Sequence, residues 1–141
     1  MRAHALIIIV LAASMLSCSE SADQALPVET KQHYDAYMSA EMSSFHPDIP
    51  ANMPIEDARR WNLAYMDRDL AAYFRSMLQR YPTASSSARL KVERAEDLAE
   101  QSWLALRAVA EQQIDDRDDP ARQAAHDAMK NLTVFMAEWD E

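Results

Sequence analysis

Residues 63–81, LAYMDRDLAAYFRSMLQRY, decide the fold. Leu63, Met66, Leu70, Tyr73, Phe74, Met77 and Tyr81 recur at intervals of three and four, the spacing that gathers side chains on one face of an α-helix. Pro82 ends the run, since a proline lacks the backbone donor and crowds the preceding turn. At the other end Pro54 suits a first helical turn, where the missing donor costs nothing.

The same spacing repeats on both sides. Small polar residues at 83–87 offer caps for a third helix, which continues to about Ile114 with Val92, Ala95, Ala99, Trp103, Leu106, Val109 and Ala110 inside and Glu93, Arg94, Asp97, Glu100 and Glu111 outside. A charged break, 115–119, ends in Asp119 and Pro120, a cap followed by a first turn. Helix 4 then carries Ala121, Ala125, Ala128, Met129, Leu132, Phe135, Met136 and Trp139 inward to the chain end. Upstream, a first helix is expected from about Glu29 to His46, with Tyr34, Tyr37, Met38, Met42 and Phe45 on its inner face, Lys31, Asp35 and Ser39 opposite, and Pro47 as its stop. Residues 47–53 hold two prolines and form a stiff connector. Four amphipathic helices on short connectors bury their stripes most simply as an all-α, antiparallel four-helix bundle over 29–141. Residues 18–28, polar and closed by Pro27, are expected to be a flexible tether.

The start of the chain reads as an export signal over residues 1–17: Arg2, an apolar run from Leu6 to Leu11 extended by Ala12 and Ala13, and the small residue Ser17 before the single cysteine. The run is shorter than the roughly 20 apolar residues a permanent span needs. Met15, Leu16, Ser17 and Cys18 resemble the lipobox of bacterial lipoproteins, with Met15 where leucine is usual. That resemblance implies cleavage before Cys18, a palmitate-type acyl anchor on it, and a periplasm-facing address at the outer membrane, because Ser19 rather than aspartate follows. A lipidated cysteine leaves none for a disulfide, so the domain must be held by its core.

Composition excludes several functions. The chain has no glycine, where about ten would be usual at ~7%. Phosphate-cradling loops, dinucleotide fingerprints and the strained serine elbow of hydrolases need glycine at positive φ or at close backbone approach. With 23 acidic against 14 basic residues the formal charge is −9, which argues against nucleic acid as a partner and is compatible with a basic protein.

Candidate sites are few. Met38, Met42 and His46 at four-residue intervals, with Met53 beyond, could gather a cuprous ion; Met38 and Met42 also lie in the stripe that must face the core, where methionine is an ordinary filler. No Glu-x-x-His motif points to a di-iron centre. Asp115, Asp116, Asp118 and Asp119 offer carboxylates without the spacing or turn glycine of a calcium loop, and capping explains them more simply. Glu96 and Glu100 stand one turn apart on an expected wet face, not in the sheltered cleft that acid catalysis wants. No metal, cofactor or catalytic constellation is assigned, and the chain is expected to bind rather than catalyse.

Around Trp103 and Arg107, with Leu98 and Gln101 before them in an Ala-rich helix, the chain resembles the signature helix of the LprI-like lysozyme-inhibitor family, and Leu70 to Phe74 resembles that family's upstream Leu-Asn-x-x-Tyr element. Gln101 is one place out of register, Ala108 stands for an aspartate and Glu111 for a cysteine, so the family's disulfide is missing. The resemblance implies inhibition of a cell-wall hydrolase; joined to the lipobox it leads to the expectation of an envelope lipoprotein in that role, and the same logic covers an immunity lipoprotein against a delivered toxin. An acidic surface would speed encounter with a basic peptidoglycan hydrolase, with Asp115, Asp116, Asp118, Asp119 and Arg107 as contact residues. The alternative is a pilotin-like or assembly lipoprotein that holds a partner's helix in an apolar channel.

Overall fold

The computed structural model describes residues 22–40 and 44–141. Among them the chain is an all-helical bundle: α1 over 22–40, α2 over Ile55–Arg80, α3 over Ser86–Glu111 and α4 over Pro120–Ala137. The expected signal over 1–17, Cys18 and Met42 lie outside the described residues.

Polar contacts fix the directions. Arg75 of α2 meets Glu96 (2.7 Å) and Glu100 (3.7 Å) of α3, while Arg60, nearer the start of α2, meets Asp115 just beyond α3, so the two helices run antiparallel. On the other flank α1 runs antiparallel to both α2 and α4. Glu29 lies 3.7 Å from Arg80, and the His33 ring stacks on Tyr73 at 3.5 Å. Trp139 donates its indole N–H to the Pro27 carbonyl (3.1 Å), and the Tyr34 phenol lies beside Thr133. α3 packs closely on α2 and α4, whereas α2 and α4 barely touch, and α1 sits between them.

α1 corrects the expected tether. Residues 22–28 are helical, and Ala22, Leu26, Thr30 and Tyr34, four residues apart, are all buried. Pro27 forfeits one helical hydrogen bond, a cost of about 3 kcal/mol in a helix interior. Full burial of Leu26 contributes roughly 1.5–3 kcal/mol, and the Trp139 indole, itself only 2% exposed, ties the far end of the chain to the Pro27 turn. At its other end α1 stops short of the expected His46. Residues 44–46 are not helical, and Phe45 is exposed rather than part of an inner stripe.

Caps follow sequence cues at two ends, and a third is closed by a side chain the sequence reading did not single out. Ser85 accepts the Ala88 N–H at the start of α3, and Asp119 accepts the Ala121 N–H (2.8 Å) ahead of Pro120. Arg89 donates to the Leu78 and Tyr81 carbonyls at the end of α2, both at 3.0 Å. α3 ends at Glu111 rather than Ile114, in a turn that ordinarily employs glycine. Gln113 takes φ 51°, its N–H bonds the Ala110 carbonyl, and the Ile114 N–H bonds that of Val109 (3.1 Å), the paired pattern of a Schellman motif. Ile114 then packs against the cluster that contains Val109, the apolar contact such a turn favours.

The core divides along the axis. The larger cluster, around Leu26, Leu70, Phe74, Val92, Leu98, Met136 and Trp139, fills the end where α1 begins, here the near pole. A smaller one, around Ala64, Leu106, Val109 and Ala125, fills the far pole at the α3–α4 turn.

Candidate functional site

The bundle has four helices at the near pole and three at the far pole, and the difference creates the site. After α1 the chain crosses to the outer side of α2. His46 accounts for the crossing: its N–H bonds Asn62 Oδ1 (2.6 Å), its Nε2–H donates to Asp69 (2.6 Å), and its Nδ1 accepts the Asp48 N–H (3.0 Å). Arg68 adds a 2.7 Å contact to Asp48 and holds that carboxyl below its usual range. Both His46 nitrogens are therefore engaged in anchoring the connector, not free for the copper site considered above. Met38 packs against the near-pole core, and among the described residues no group of three or more His, Cys, Asp or Glu side chains could hold a metal.

With the connector pinned to the outside, the position between α2 and α4 is open over the far half. A groove of 540 Å³ lies there, a volume typical of ligand sites. Leu106 and Val109 of α3 form its floor; Arg60 and Leu63 of α2 make one wall; Ala125, Met129, Arg122, Gln123 and His126 of α4 make the other, and Arg117 of the α3–α4 turn closes the end. Leu63 was expected in the core by its spacing, yet it is 41% exposed, because the helix that would cover it is not there.

Every ionisable side chain lining the groove is basic, in a chain of net charge −9. Arg60 is held from outside by Asp57 (2.5 Å) and Asp115, which raise its pKa further. Its Nε–H is buried and meets no acceptor among the described residues. An unmet buried donor costs about 1–3 kcal/mol. Arg122 donates to the Asp115 carbonyl (2.7 Å).

The acidic break forms the lip of this groove, and most of its carboxylates are already occupied. Asp115 pairs with Arg60, Asp116 accepts the Asp118 N–H (3.0 Å), and Asp119 caps α4. Asp118 is exposed. Arg107 lies elsewhere, on the outer α2–α3 face, paired with Glu111 (2.7 Å) and set over Trp103 (5.7 Å). There Trp103, Tyr65 and Trp61 form a ladder of stacked rings with Arg68 over Tyr65 at 4.6 Å. Trp103, expected inside, is only half-buried at this seam. The structure thus separates Arg107 from the aspartates with which the sequence grouped it.

Inside the bundle is a polar pair that periodicity alone did not flag. Asp67 of α2 sits between Met66 and Leu70 in the buried register and accepts a hydrogen bond from Ser102 of α3. Burial pushes its carboxyl up to about 6, and the Ser102 hydrogen bond only partly opposes this. The Tyr34 phenol is also raised, first by burial and then by the Asp67 charge. A polar residue at a position where the three-four spacing demands an apolar one was the available signal.

Among the described residues no helix is long and apolar enough to cross a membrane. Set against known proteins, the chain matches no family model, no curated protein and no solved structure.

Proposed function

We propose that this chain is an envelope-anchored lipoprotein whose bundle binds another protein by receiving an amphipathic helix of that partner in the far-pole groove. The observation that carries the reading is the vacant fourth position: α2, α3 and α4 present an apolar trough where α1 and its connector have turned away. Helix-in-groove recognition uses such a trough, the guest supplying anchors at three- and four-residue spacing. The address comes from the signal-like segment and Cys18 in their lipoprotein-like tetrad. The role is that of the pilotin-like or assembly class, in which a tethered bundle escorts or holds a partner's helix.

Photo-crosslinking in the native cell tests it. A crosslinking residue at Leu63 or Gln123 should give one protein adduct, and the same residue at exposed Leu104, outside the groove, should give none. Equal adducts at all three positions, or none in the groove, would overturn the reading.

A second reading, inhibition of a basic cell-wall hydrolase, is favoured by the Trp61, Tyr65, Trp103 ladder with its two arginines, since tryptophan, tyrosine and arginine dominate binding hot spots. It ranks lower because Asp115, Asp116 and Asp119, the carboxylates expected to meet a basic enzyme, already have partners within the chain. Slowed lysis of cell walls by a muramidase in the presence of the protein, lost on Trp103→Ala in a folded variant, would reverse that order.

A further inference from the structure

We infer that the helix taken up by the groove is an acidic one, with an apolar stripe flanked by glutamate or aspartate that the groove's arginines select. The inference rests on the helix-in-groove reading and adds the chemistry of the guest. Two observations carry it. The walls hold Arg60, Arg117, Arg122 and His126 and no carboxylate, although acidic residues far outnumber basic ones in the chain. The aspartates of the neighbouring turn do not line the groove, and Asp115 is 80% exposed at its outer edge. A carboxylate on the guest would sit beside Arg117, Arg122 and His126, which have no carboxylate partner among the described residues.

The apolar lining specifies the rest of the guest. Leu63 and Met129 in the walls and Leu106 and Val109 in the floor offer apolar surface along three helices, which suits a stripe of leucine-like side chains. The chain's own apolar segment is a poor occupant by charge, since Arg2 and His4 precede Leu6 and would face the arginines. A basic helix is disfavoured for the same reason, because like charges across an interface exclude wrong partners.

The test uses the full-length chain in detergent micelles and three labelled helical peptides of about 15 residues, identical in their leucine stripe and flanked by Glu, Gln or Lys. Fluorescence anisotropy should rank them Glu over Gln over Lys, with at least about a tenfold span that shrinks in high salt. The double variant Arg117→Gln, Arg122→Gln should collapse the span. Leu63→Glu should abolish binding of all three, whereas Leu104→Glu, at an exposed site outside the groove, should leave it intact; circular dichroism establishes that each variant is folded. If the three peptides bind equally and Leu63→Glu still blocks them, the acidic preference is overturned and the groove reading survives. If no peptide binds, or Leu63→Glu changes nothing, the groove reading falls as well. Binding of dodecanoate in a Leu63-dependent manner without any peptide binding would assign the groove to a small anionic amphiphile and overturn the inference.

Discussion

Ser102 on α3 donates its hydroxyl proton to the Asp67 carboxylate on α2, and both side chains lie inside the bundle. The carboxyl is raised from 3.8 to about 6, chiefly by burial. A carboxyl raised in this way stabilises the fold in full below 3.8, and that contribution is lost as pH climbs through about 6. The difference amounts to about 3 kcal/mol at 1.36 kcal/mol per pH unit. Asp67→Asn keeps an oxygen for Ser102 and carries no charge. Its stability relative to the parent chain should therefore rise between pH 4 and pH 8 by up to about 3 kcal/mol. Urea midpoints of both proteins across that range measure it, and a constant difference would refute it.

Leu70 is 1% exposed in the middle of α2. Leu70→Ala should cost about 2–5 kcal/mol through lost burial and the cavity left behind. An unchanged denaturation midpoint would contradict its place in the core.

Leu26 provides the sharper packing test, because the sequence placed it in a tether and the structure places it at 0% exposure. Leu26→Ala should also cost about 2–5 kcal/mol, while the same change at exposed Leu104 should stay within about 0.5 kcal/mol. Equal, small effects at both positions would mean that residues 22–28 are not part of the fold.

Gln113 holds φ 51° in a chain without glycine. Gln113→Gly should stabilise by about 0.5–1 kcal/mol, the relief at a left-handed position exceeding the added freedom of the unfolded chain. Gln113→Val should destabilise, since a β-branched side chain tolerates that region worst. Thermal melts of the pair check the sign of each change.

Cys18 is expected to carry the acyl anchor. Labelled palmitate should enter the full chain and be absent from Cys18→Ala; equal label in both would end the lipoprotein reading.

Helices α2, α3 and α4 were legible because each repeats its apolar residues through several turns, and the Asp119–Pro120 pair marked one boundary to the residue. The start of α1 was not legible. Pro27 reads locally as a break, and what keeps it helical is Trp139, 112 residues away. The groove was hidden for a related reason. Leu63 lies on the same three-four stripe as Leu70, and the spacing is the same whether a fourth helix covers a position or stops short of it. Asp67 was hidden by its context, a charged residue in a run whose outer positions are also charged.

The position of Ala22 also sets a height. It is buried in the bundle beside the α2–α3 turn where Ser85 donates its N–H to Asp23, and the groove lies toward the opposite pole. Cys18 precedes Ala22 by four positions, a reach of no more than about 14 Å of extended chain. An acyl group on that cysteine would keep the near pole close to the bilayer. From Arg80 to Arg60 α2 rises about 30 Å at 1.5 Å per residue, so with the bundle axis upright the arginines at the far pole would stand about that far above the near pole. If Cys18 is acylated, a groove at that height would meet proteins that project toward the membrane, and a helix lying flat on the bilayer surface would pass beneath it.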